Sequence, residues 1–127
     1  MTDADFLTQF DNGSLPAAAF DHHAHLRMAV LYLQSRPFLE ACIDMRDGLQ
    51  RFAARVGKAG LYHETITVAF MSVVNEALAD LPDADWATLI ETRPELCDRR
   101  LLARLYGETR LNSDLARGRF VLPICLQ

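Results

Sequence analysis

Apolar residues recur every three or four positions along most of this chain, the spacing of helices that each bury one face. The segment 38–56 is the clearest case. At about 100° per residue, Phe38, Met45, Leu49, Phe52 and Val56 fall on one side, with Cys42 and Ala53 beside them. Glu40, Asp44, Asp47, Arg51 and Arg55 fall opposite, so the charges read as a solvated face. Similar periodicity predicts long helices near 19–35, 62–80 and 94–106, and shorter ones near 3–10, 84–91 and 113–118.

Turn signals separate these segments: NGSLP at 12–16, Arg36-Pro37, Gly57 to Gly60, Asp80 to Asp83 and Thr92 to Pro94. Gly107 is expected to close the helix that starts near Pro94. Strand-like alternation is missing, save for FVLPICL near the end, where Pro123 limits pairing. The expectation is an all-α fold, a bundle of about four main helices with short additional ones, forming a single domain over 1–127.

Composition narrows the function classes. Half of the residues are hydrophobic and 24% are charged, which suits a globular chain able to bury a core without staples. The net charge of −4 argues against a nucleic-acid partner, because such binding depends on neutralising phosphates. All but one of the 13 basic residues are arginine, the exception being Lys58. That bias fits a high-GC bacterial genome as readily as a functional choice. The start, MTDADFLTQF, has neither the basic nor the apolar region of a secretory signal, and no apolar run is long enough for a membrane. Cys42, Cys97 and Cys125 are odd in number and lack C-x-x-C spacing, so reduced thiols and a cytoplasmic location are expected, with Cys125 the most accessible of the three.

The four histidines lie in two stretches, FDHHAHL and LYHETIT. On the 19–35 helix His23 shares a narrow polar stripe with Arg27 and Gln34 and should face water. His22 and His25 are three apart on the apolar side, near Leu26, Ala29, Tyr32 and Leu33. On the 62–80 helix His63 falls on the apolar face with Ile66, Phe70, Val73, Val74 and Ala77, with Thr67 one turn on. Glu64 sits at the edge of that face, and Thr65, Ser72 and Glu76 are expected to point outward. A buried imidazole needs partners for both ring nitrogens, so three on two inner faces call for an account.

Three readings stand side by side. In the first, His22, His25 and His63 are ligands of a transition metal (zinc, iron or manganese) in a small-molecule enzyme, Glu64 is a further ligand or the catalytic base, and Asp21 orients a ring. In the second, the same histidines with Tyr32 and Thr67 line a metal-free pocket for a small polar or anionic ligand. In the third, the histidines are a hydrogen-bonded packing device and the protein acts through its surface. Arg117 is a lesser ligand-binding candidate, a charge turned toward the bundle end. Trp86 reads as a core plug, and the run DRRLLARLYGETR as a half-solvated helix. Apolar residues on the short helices would suit a homodimer.

Three motifs also resemble those of a group of small all-helical bacterial proteins of unknown function. They are F-x-H-x-x-H-L-R-x-A (Phe20 to Ala29), Y-H-E-T-I-T (Tyr62 to Thr67) and L-x-S-x-x-A-R-x-x-F-V-x-P (Leu111 to Pro123). The resemblance implies a shared site at His22, His25, His63 and Thr67 and leaves His23 unconstrained; it implies no particular chemistry. The group's last motif ends in Pro-Asp, whereas Ile124 follows Pro123 here, so no role is carried over for a carboxylate at that place.

Overall fold

The computed structural model describes residues 1–124, whose regular elements are all helices. The helices are α1 (Asp3–Asn12), α2 (His22–Ser35), α3 (Phe38–Arg55), α4 (Glu64–Asp80), α5 (Trp86–Thr92), α6 (Leu101–Tyr106), α7 (Glu108–Leu111) and α8 (Asp114–Gly118), with 3₁₀ turns at Ala17–Ala19, Ala59–Leu61 and Pro94–Cys97. Among the described residues no helix is long and apolar enough to cross a membrane.

Helices α2, α3 and α4 pack against one another and form the centre. α1 lies over α2 and α3, while α6 and α8 lie on α4 and the Pro94–Cys97 turn lies on α2. The core runs through all of these layers, with Leu26, Met28, Tyr32, Met45, Met71, Val74, Leu89 and Leu96 at most 1% exposed. Phe10 stacks on Phe20 with ring centroids 5.2 Å apart, and Phe20 meets Phe52 at 5.0 Å. Gly48, in the middle of α3, lets this cluster close: a Cβ there would overlap the Phe10 ring.

Side-chain caps set the helix starts. The Thr2 hydroxyl accepts from the Asp5 N–H at 3.0 Å, and Asp5 answers to the Thr2 N–H, a capping box. Asp21 accepts from the Ala24 N–H at 2.8 Å and begins α2 at His22, three residues later than the periodicity predicts. Asp85 and Ser113 cap α5 and α8 in the same way. His63 caps α4 through its ring, so the helix begins at Glu64 instead of 62.

Two sequence expectations need correction. The helix foreseen at 94–106 is broken between Cys97 and Leu101. A continuous helix would bond the Arg100 N–H to the Leu96 carbonyl. Here the Arg100 N–H goes to Asp98 Oδ1 at 2.9 Å, and the Leu96 carbonyl is taken by His22. Gly107, with φ 79°, does end α6. The second correction concerns Thr65, expected outside and in fact fully buried. Its hydroxyl donates to the Arg119 carbonyl at 2.8 Å and accepts from the Val121 N–H at 3.1 Å. The residues after α8 therefore lie across a face of α4 that helical periodicity alone leaves to solvent. Residues 120–124 are non-helical; Cys125 and Leu126 of FVLPICL lie outside the described residues. Leu105 on α6 and Leu115 on α8 are exposed.

Candidate functional site

His22 and His63 both reach from the central helices to the C-terminal layer. His22 Nε2 lies 3.1 Å from the Leu96 carbonyl, and His63 Nε2 lies 2.7 Å from the Leu111 carbonyl. A carbonyl only accepts, so each Nε2 carries the proton and donates. Both carbonyls are at the ends of short helical turns, where they lack a partner in their own segment. His63 Nδ1 in turn accepts from the Ile66 N–H at 3.1 Å. Both ring nitrogens of His63 are thus engaged with backbone, and its lone pair is used.

His25 differs. Its ring lies between Phe20 and Phe70, with centroids 5.1 and 5.7 Å away. No described residue hydrogen-bonds to its ring nitrogens. Burial among apolar groups, helped by the neighbouring His22, lowers its pKa from 6.5 to about 4. At neutral pH it is an uncharged imidazole offering one donor and one acceptor.

These nitrogens have space beside them. A cavity of about 170 Å³ lies between α2, α4 and the C-terminal layer. His22 and His25 line it from α2, Ile66, Thr67 and Phe70 from α4, and Leu101, Leu102 and Leu111 from above, with Asp98 and Arg99 also in the lining. A second, more open hollow of about 270 Å³ lies toward α3, walled by Leu49, Phe52, Ala53 and Val56, with Leu61 from the Ala59–Leu61 turn and Lys58 and Tyr62 from its two flanks. His25, Ile66 and Thr67 border both hollows, and His63 borders the second. The Thr67 hydroxyl donates back to the His63 carbonyl at 2.9 Å.

The other candidates lie elsewhere. Tyr32 is fully buried; its hydroxyl donates to Asp11 and the Arg36 guanidinium covers its ring at 4.2 Å. Burial and then Asp11 raise its pKa. Asp21 is spent on the α2 cap. Glu64 accepts from the Tyr62 hydroxyl at 2.6 Å and lies 3.6 Å from Arg46. It borders a separate polar cleft with Arg46, Gln50 and Arg117, and Arg117 reaches the Leu61 carbonyl at 3.4 Å. His23 is exposed, as its polar stripe foretells, beside a half-buried Trp86 at 6.3 Å between rings.

The expectation from sequence was His22, His25 and His63 at one site with Tyr32 and Thr67. Of these, His22, His25 and Thr67 border the inner cavity, His63 borders only the second hollow, and Tyr32 borders neither. Nothing in the spacing pointed to Asp98, Arg99 or Leu102, because those reach the cavity only through the break after Cys97. Among the described residues no three His, Cys, Asp or Glu side chains gather as a metal would require. No family model, curated protein or solved structure matches the chain.

Proposed function

We propose that this protein binds a small, mainly apolar molecule carrying a polar group, and that it does so without a metal. The observation that carries this reading is His25: an uncharged imidazole with no hydrogen-bond partner among the described residues, bordering a cavity with mainly apolar walls. Pockets for small molecules have this make-up, apolar walls with a few polar groups that fix orientation. The size suits a single ring, since an apolar cavity of about 150 Å³ accommodates benzene. The donor arrangement favours this over a three-histidine metal centre, because His63 has no lone pair to give and Glu64 belongs to another cleft.

Phenol is a fitting probe: one ring and one hydroxyl to meet His25. At about 0.6 kcal/mol per non-hydrogen atom, between the ceiling for tiny ligands and the value for drug-sized ones, a seven-atom ligand binds with a Kd on the order of 1 mM. Ligand-observed NMR should find saturable phenol binding near that strength, about fivefold or more weakened in His25→Leu, as loss of about 1 kcal/mol of hydrogen bonding implies. An absence of binding to the native chain, or equal binding to folded His25→Leu, would refute the reading.

A further inference from the structure

The charges bordering the two hollows are unevenly satisfied. At the inner cavity the one acid, Asp98, is already engaged: it pairs with Arg104 and accepts from the Arg100 N–H. Its neighbour Arg99 borders the same cavity, is exposed, and has no ion-pair or hydrogen-bond partner for its guanidinium among the described residues. At the outer hollow the one residue of fixed charge is Lys58, the chain's single lysine, also without a side-chain partner among the described residues. A chain of net charge −4 thus has, at the border of each apolar space, a basic residue that is unpaired among the described residues. An ammonium ligand would meet repulsion at either one, and a neutral ligand would leave both cations unused.

We infer that the ligand is a small ring-bearing monocarboxylate, its ring between Phe70, Ile66 and Leu102 and its carboxylate held at the rim by Arg99. This rests on the reading above, that the cavity binds a ring-sized molecule, and adds the charge and the residue that selects it. A guanidinium matches a carboxylate with two parallel N–H donors, and at an exposed rim the attraction is modest and weakened by salt. Lys58 stands at the other hollow and serves as the control.

The test compares phenol, benzoate and benzylammonium on the full chain by ligand-observed NMR at low salt. Benzoate should bind roughly fivefold more tightly than phenol, with benzylammonium weakest. Added salt should shrink the benzoate advantage, and Arg99→Gln should remove it while phenol binding stays the same. Lys58→Gln should leave it intact. If phenol binds but benzoate gains nothing, or keeps its gain in Arg99→Gln, the carboxylate inference is overturned and the reading of the cavity stands. A gain lost in Lys58→Gln instead would overturn the seat at Arg99. If none of the three binds, the reading itself fails and the inference falls with it.

Discussion

His25 and His63 are both inward-facing imidazoles, yet they have opposite tasks. His63 is satisfied at both nitrogens and ties α4 to the end of α7. Removing it strips a helix cap and leaves the buried Leu111 carbonyl without a donor. His63→Ala should therefore cost about 3 kcal/mol in urea unfolding. His25 contributes to pH dependence instead. Its folded pKa lies near 4 against 6.5 when free, so the unfolded chain binds the extra proton first. Stability from this group is full above the unfolded value and declines as pH falls toward the folded one. Between pH 7 and pH 4.5 the native chain should lose about 2 kcal/mol more than His25→Leu in urea titrations at the two pH values. Periodicity could place these rings on an inner face but could not tell them apart, because the groups that satisfy His63 come from a residue 48 positions away and from the capping geometry of α4, while His25 has no such partner among the described residues.

At the level of the helices, the pattern was most readable where one face is buried and the other wet. α3 follows it closely, with its apolar stripe inward and Glu40, Asp47, Arg51 and Arg55 exposed. α4 follows it poorly, because neighbours cover it on several sides, Thr65 included. The helix expected at 94–106 failed for a related reason: His22 and the Asp98 side chain compete for the groups that would have continued it. Two substitutions test these contacts. Thr65→Val should cost about 2 kcal/mol and speed hydrogen exchange at the Val121 amide well beyond that in α2. Gly48→Ala raises helix propensity by about 1 kcal/mol, but it should still destabilise by about 1–2 kcal/mol, because the Phe10 ring is held by Phe20 and cannot retreat. Urea midpoints of the two variants against the native chain decide both.

Across the whole molecule, two layers meet at the candidate site. The central trio supplies His22, His25 and Phe70, and the C-terminal layer closes over them, fastened by His22 at Leu96 and by His63 at Leu111. The all-α class was legible in the chain because it rests on local spacing. The cavity was only half legible, since its upper wall depends on how a broken segment folds back on α2 and α4. The ring nitrogens of His25, unpartnered among the described residues, are central to the proposed site, and long-range ¹H–¹⁵N NMR of the histidine rings with and without phenol addresses them directly. The His25 nitrogens should show a neutral ring at pH 6 and shift saturably with phenol, while those of His63 stay still. A His25 ring that is protonated at pH 6, or that ignores phenol at concentrations well above 1 mM, would contradict the account.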